Sequence, residues 1–252
     1  AIFWGGALLA LLLRSVWASL HTFVLLMLVS LFLSLAIEPA ANRLARRGWR
    51  RGVATFAILP LVVIGVFVAW CAWDLPEADN IPALARRPQV TILAEDGTVF
   101  LRLGQSAGPT ISATELPRYL IEAVIATEDR RFYHHIGVDP IGMARALFVN
   151  LREGHVVAGG STITQQLAKN LFLSPDRTIK RKVQEALLAF EIEKHYSKDE
   201  ILTLYLNRVY LGAGAFGISA AAQTYFDKSP RDLNLIESAV IAGLLKAPSR
   251  YS

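Results

Sequence analysis

Glu128, near the end of "LPRYLIEAVIATEDRRFYHHIG" (116–137), is the first side chain placed to do chemistry. At 100° per residue, Leu120, Ile121 and Val124 share one helical face; Glu128 falls on that face and Asp129 points well away. A carboxylate turned toward a core must be desolvated or paired. Desolvation favours the proton-bearing form, which is how a protein makes a carboxyl group able to act as a general base near neutral pH. The structural alternative is a buried salt bridge or a helix-end carboxylate.

"GGSTITQQLAKN" (159–170) crowds hydroxyls, amides and an ammonium into one short stretch. Ser161 is expected to cap a helix that begins after Gly159-Gly160. Ile163, Leu167 and Leu171 form its expected buried stripe, with Thr162, Gln165 and Lys169 aligned opposite. Such a polar stripe suits sugar hydroxyls and a phosphate together, and free amides at a helix start favour an anion. A solvated face is the plainer alternative.

A second carboxylate, Glu185, lies in "RTIKRKVQEALLAFEIEK" (177–194). Ile179, Val183, Ala186, Leu187 and Phe190 make the expected core stripe, with Arg177, Arg181 and Glu185 opposite at i, i+4 and i+8. This is either an exposed ion-pair ladder worth about 0.2–0.5 kcal/mol per pair or a carboxylate beside a dense positive patch. Two glutamates with clustered Lys and Arg suit displacement at a sugar carbon bearing a pyrophosphate. One carboxylate takes the proton of the attacking hydroxyl. The leaving group is already anionic, so it needs positive charge or a divalent ion rather than an acid.

The frame that must hold these groups is apolar. Of 252 residues, 53% are apolar and only 19% charged, too greasy for an ordinary soluble domain. Residues 16–37 and 53–73 are each long enough to cross a bilayer, and 1–13, closed by Arg14, is a candidate partial span. Together, 1–73 form the expected transmembrane region. Five arginines in 42–52 sit between the spans; the positive-inside rule puts this loop in the cytoplasm and everything after residue 73 on the outer face. The net charge of +5 is thus concentrated in a topology signal and in 177–182, not in a stripe for nucleic acid, and no nucleic acid is expected as partner. The lone Cys71 excludes a disulfide framework within one chain.

Residues 74–113 read as a polar linker followed by a hairpin, with β-branched runs in "VTILAEDGTVFLRLG" (90–104) flanking an Asp96-Gly97 turn. From 114 to 252 the pattern is helical. In "SKDEILTLYLNRVYLGAGAFGISAAAQTYF" (197–226) a glycine-rich break separates two helices, and Asn207 and Tyr210 near it are within reach of a cleft. His134, His135, His155 and His195 lack metal-ligand spacing and read as structural or exposed.

In order, "ATEDRRFYHHIG", "GGSTITQQLAKN", "RKVQE" and "SKDEILTLYLNRVYLG" resemble four consecutive motifs of the peptidoglycan glycosyltransferases. These form the glycosyltransferase domain of class A penicillin-binding proteins and of monofunctional transglycosylases. "AAQTYFDKSPRDLNLIESAVIAGLLKAPSRY" resembles the fifth motif, and the resemblance covers about residues 64–252. It implies a mostly α, lysozyme-like glycosyltransferase domain (114–252) with a small β-hairpin, preceded by two or three transmembrane helices. It also implies that Glu128 is the catalytic base and Glu185 the second essential glutamate. Ser161, Thr162, Gln165, Gln166, Lys169, Asn170, Arg181 and Lys182 resemble the cleft residues that hold lipid-linked pyrophosphate sugars, and Asn207 and Tyr210 resemble them more weakly.

The implied reaction joins lipid II units. The 4-hydroxyl of an acceptor GlcNAc attacks the anomeric carbon of a lipid-pyrophosphate MurNAc, with inversion and release of the lipid pyrophosphate. A divalent metal, Mg²⁺ or Mn²⁺, is the implied cofactor, with Glu185 its candidate ligand, and no organic cofactor is expected. The implied partners are lipid II, the growing lipid-linked glycan chain, membrane lipids and the cell-wall synthesis machinery. The implied place is the bacterial cytoplasmic membrane, with the domain on its outer, periplasmic side. An apolar region dipping into that membrane is expected from 141–160 through Met143, Phe148, Val149, Val156 and Val157.

The family pattern runs on past Ser252 with further helices, and no Ser-x-x-Lys motif of a transpeptidase is present in the sequence. "LVSLFLSLAIEPAANRLARRGWRRGVAT" (28–55) resembles instead the amino-terminal helical hairpin of the autoinducer-exporter permeases, and no function is read from it. Two rivals stay open: a lytic enzyme on the same scaffold, and an inactive permease-fusion fragment. The cations near Glu185 argue against the first, since cleaving a neutral glycosidic bond needs an acid.

Overall fold

The computed structural model describes residues 2–76, 90–93, 99–103, 106–246 and 248, which fall into two units, Ala1–Trp70 and Cys71–Ser252. The first unit is a hairpin of α1 (Ile2–Arg46) and α2 (Arg51–Ala72). Residues 2–13 and 16–37, expected in separate segments, lie in one continuous helix. Arg14 is a good helix former, and no Gly or Pro interrupts residues 7–38. Most of the arginine stretch is helical too, leaving residues 47–50 as the turn. Ile37 and Ala41 pack with Ala54 and Ile58 to close the hairpin, the small alanines letting the backbones approach. Phe23–Arg46 and Arg51–Ala72 are long and apolar enough to cross a membrane, with mean hydropathy 2.2 and 2.5.

The second unit is mostly α. Its strands are β1 (Val90–Leu93) antiparallel to β2 (Val99–Leu103), and β3 (Ser106–Ala107) parallel to β4 (Ala215–Phe216). The Asp96-Gly97 turn and linker residues 77–89 lie outside the described residues. The helices are α3 (Arg118–Glu128), α4 (Pro140–Glu153), α5 (Ile163–Phe172), α6 (Ile179–His195), α7 (Lys198–Arg208), α8 (Ile218–Phe226) and α9 (Leu235–Leu244). Leu120 and Val124 of α3, Ile163 and Leu167 of α5, Leu188 and Ile192 of α6, and Ile201, Tyr205 and Leu206 of α7 share one core. Each fully buried Leu or Ile contributes about 1.5–3 kcal/mol. α5 packs against both α6 and α7, so the polar motif it carries has rigid walls on two sides.

Two sequence expectations are corrected here. The cap of α5 is Thr162, not Ser161: Thr162 accepts from the Gln165 amide while Gln165 returns a bond to the Thr162 amide. Ser161 as cap would have Thr164 three residues on, too short a side chain to close such a box. The buried face of α6 is also opposite to the one expected. Gln184, Glu185, Leu188, Ala189 and Ile192 face inward, while Ile179 is 77% exposed. The helix is apolar on both sides. Its polar inward positions are tolerated because they find partners, Gln184 donating to the Cys71 carbonyl and the Asp74 carboxylate.

α4 starts from an Asp139 cap with Pro140 in its first turn and stops at Gly154 in the left-handed conformation. Only Gly142 and Ala146 are buried; Ile141, Met143, Leu147, Phe148 and Leu151 are exposed, as are Val156 and Val157 beyond the helix, while Val149 is half-buried. An exposed apolar face of this kind is unusual on a fully solvated surface.

Candidate active site

Glu128 is the last residue of α3, and Asp129 is its C-cap with φ −155° and ψ 79°. The backbone leaves the helix there, so counting 100° onward from Val124 fails for the next residue. Glu128 is half-buried, whereas Asp129, expected to point away, is buried. The Asp129 carboxylate accepts from His135 Nε2 at 2.9 Å and from the Ile163 amide at 3.1 Å. The Gly137 amide donates to His135 Nδ1 at 3.2 Å, leaving Nε2 as the protonated nitrogen. The Gly137 carbonyl in turn accepts from the Thr162 hydroxyl at 2.5 Å. The loop after α3 is thus tied to the first turn of α5.

That tie aims the next turn. Gln166 Nε2 donates to Glu128 Oε2 at 2.6 Å, and Tyr205 of α7 donates its hydroxyl to Gln166 Oε1 at 3.3 Å. Burial, with the charge of Glu128 adding to it, pushes the Tyr205 phenol well above its ordinary value and keeps it a donor. Tyr205 was not singled out in the sequence, where it reads as one more core aromatic of an amphipathic helix.

The second glutamate is held differently. Glu185 is 3% exposed and ion-paired with Arg181 and, at 2.8 Å, with Lys182. Lys182 also donates to Ser161 Oγ at 2.6 Å. Expected on the face opposite the core stripe, in an exposed ladder or beside a positive patch, this carboxylate is buried between two cations. Arg181 Nε is buried without a hydrogen-bond partner among the described residues, an orphaned donor that calls for an acceptor. The stretch 161–166 therefore reaches both glutamates, Glu185 through Ser161 and Lys182, and Glu128 through Gln166.

Glu128 opens into a cavity of about 400 Å³ lined also by Thr127, Arg130, Arg145, Gly159 and Lys246. These three cations escaped the sequence reading. Arg130 and Lys246 stand inside the first and fifth motifs, and Arg145 is the first of three charges on the otherwise greasy α4, with Arg152 and Glu153 at its end. Lys169 and Asn170 are half-buried on α5, and Lys169 engages no carboxylate among the described residues.

Other candidates are committed elsewhere. Thr162 and Gln165 are buried and use their polar atoms in the capping box, so they hold the helix start rather than form an open polar face. Asn207 binds both backbone groups of Ile111 and the Thr203 carbonyl, pinning an extended segment. Tyr210 stacks on Phe216 with ring centroids 4.8 Å apart. Glu185 does not fit the role of metal ligand. Both its oxygens already accept from cations, and a divalent ion demands several further oxygen ligands; no group of three acidic, His or Cys side chains suited to a metal occurs among the described residues.

A mostly α domain with a carboxylate in a cationic cavity and a second carboxylate clamped by Arg and Lys defines a class. The Transglycosylase family model matches residues 96–252, and the chain belongs to that family: its domain is a peptidoglycan glycosyltransferase domain. The chain is also 45% identical over 197 residues to penicillin-binding protein 1A of Aquifex aeolicus, covering 76% of this chain and 27% of that protein. It is 45% identical over 205 residues to penicillin-binding protein 1A of Neisseria flavescens (81% and 25%) and 48% identical over 179 residues to that of Escherichia coli (71% and 21%). The chain thus spans about a quarter of the length of these relatives. The permease resemblance of the first sixty or so residues finds no support in these comparisons.

Proposed function

We propose that this chain polymerises lipid II into glycan strands for the bacterial cell wall. The observation that carries the reading is the setting of Glu128: a half-buried carboxylate, held by one amide, in a cavity whose other charged walls are all cations. Such a group accepts a proton from a sugar hydroxyl while the cations hold an anionic substrate beside it. The 4-hydroxyl of the acceptor GlcNAc gives its proton to Glu128 as its oxygen bonds to the anomeric carbon of the donor MurNAc. The bond from that carbon to the lipid pyrophosphate breaks, with inversion, and the electron pair leaves on the phosphate. Arg181, Lys182 and Lys169 take up that charge, the unpartnered Arg181 Nε supporting Arg181 in the role. Glu185 sits between Arg181 and Lys182 and fixes their heads. A divalent ion such as Mg²⁺ or Mn²⁺ is assigned no step, because the donor set at Glu185 does not suit one.

The hairpin α1–α2 anchors the chain in the cytoplasmic membrane with the domain on the periplasmic side, and the exposed face of α4 with Val156 and Val157 rests in the outer leaflet. The growing lipid-linked glycan is the second substrate. Incubating the purified chain with labelled lipid II tests the reading. Polymer is the expected product; shortened glycan from preformed strands would mean a lytic enzyme, and no product an inert domain.

A further inference from the structure

A side-chain amide has two unlike ends, and which end meets a carboxylate decides whether the contact attracts or repels. Gln166 lies between two groups that answer this. Its Nε2 is 2.6 Å from Glu128 Oε2 and its Oε1 is 3.3 Å from the Tyr205 hydroxyl. Turned over, the amide would set its carbonyl oxygen against the carboxylate. Tyr205 is 1% exposed and packed among Ile201, Leu202 and Leu206, so its hydroxyl has a fixed direction. Burial together with the nearby Glu128 charge keeps that phenol protonated. It stays a donor throughout the working range.

We propose that Tyr205 is a positioning residue of this site, its hydroxyl holding the Gln166 amide N–H end toward Glu128 and so fixing the catalytic carboxylate. Oε2 is occupied by Gln166, which leaves Oε1 as the atom that takes the sugar proton. The hydrogen bond to Oε2 fixes the orientation of the carboxylate, so the base is in place when the acceptor arrives. This rests on the reading of Glu128 as the base.

The full chain in detergent with labelled lipid II tests it. Tyr205→Phe keeps the ring in its slot and removes only the hydroxyl. We expect kcat to fall about 10- to 100-fold with KM unchanged. The acid limb of the kcat–pH profile should move to higher pH, because an amide free to turn no longer favours the carboxylate. Gln166→Leu removes the amide, and adding Tyr205→Phe to it is expected to cause no further loss. Losses that multiply in the double variant, or a Tyr205→Phe enzyme with the parent's kcat and profile, overturn the proposal. Should Tyr205→Phe unfold, Gln166→Leu alone must still move the acid limb upward, and a profile that stays put overturns it equally. Glu128→Gln separates the two readings. If it is inactive while Tyr205→Phe behaves as the parent, the base stands and the positioning role falls; if it retains its rate, the base assignment is what fails.

Discussion

The carboxylate of Asp129 accepts the backbone amide of Ile163 at 3.1 Å, bonding the end of α3 to the start of α5 across 34 residues of chain. His135 completes the tie from the other side at 2.9 Å, with both side chains almost wholly buried. Adjacent carboxylates have thus divided the labour. Asp129 ties two elements together, and Glu128 is left facing the cavity.

Asp129→Ala removes the one oxygen, Oδ2, that accepts from both His135 Nε2 and the Ile163 amide. Leaving a buried donor unmet costs about 1–3 kcal/mol, so the melting temperature should fall by several degrees. Activity should fall with it, because the first turn of α5 loses its anchor. A thermal scan beside a lipid II assay checks both, and an unchanged melting temperature would mean the tie is incidental.

Glu128→Gln should do the reverse. Stability should stay within about 0.5 kcal/mol of the parent and lipid II should still bind, while the initial rate falls by about 10²–10⁴-fold. A variant keeping more than about a tenth of the rate would refute the base assignment. Asp129, already bonded twice, is then a poor substitute, and Glu185 becomes the next candidate.

The clamp makes a third case. Arg181→Ala leaves Glu185 buried with half its compensation, and breaking a buried pair costs about 3–5 kcal/mol. It should lower both stability and lipid II affinity. Lys182→Ala should weaken donor use as well, since Lys182 bridges Glu185 to Ser161, whereas Ser161→Ala should cost less because the ion pair survives. Equal, negligible effects of all three on lipid II affinity would return the cluster to a structural role.

Two capping boxes set a pH dependence. Glu200 is held below its ordinary value of 4.5 by bonds from the Ser197 hydroxyl and then its amide. Glu237 is held below the same value by Lys228 and then the Asn234 amide. A depressed carboxylate gives its stabilisation in full above the unfolded value and loses it as pH falls through the folded one. The melting temperature should therefore be flat above about pH 5.5 and drop below about pH 4.5. Replacing both by Gln should flatten that drop, and an undiminished slope would place it elsewhere.

Orientation has its own assay. With Cys71 replaced by Ala, a cysteine put at Ser106 should react with an impermeant thiol reagent in intact spheroplasts. Labelling only after lysis would reverse the topology and remove the substrate.

Periodicity carried far in the middles of helices and little at their ends. Leu120, Val124, Ile163 and Leu167 are buried as their spacing predicts, because a regular helix repeats its geometry. Asp129 and Ser161 sit where that geometry stops, and one irregular φ there undoes any projection. α6 failed for another reason: it has two faces greasy enough to bury, and the choice was made by partners, Asp74 for Gln184 and Arg181 and Lys182 for Glu185. The Asp74 partner of Gln184, 110 residues away, leaves no trace in spacing, whereas Arg181 and Lys182 stand at i, i+4 and i, i+3 to Glu185 and do. The five motifs brought Glu128, Gln166, Lys182 and Glu185 into view together, but nothing in them marked Tyr205 as Gln166's second contact.

Gly137 has φ +97°, and a Cβ there would lie 2.8 Å from the backbone of Ala189, one turn beyond Glu185. The same residue is bonded to His135 and Thr162. Where the segment bearing one glutamate meets the helix bearing the other, backbone touches backbone and a hydrogen atom is the spacer. The separation of Glu128 and Glu185 is therefore gauged at a point that contacts neither. A single methyl group at 137 would act as a shim, widening the gap between the two carboxylates while leaving both intact.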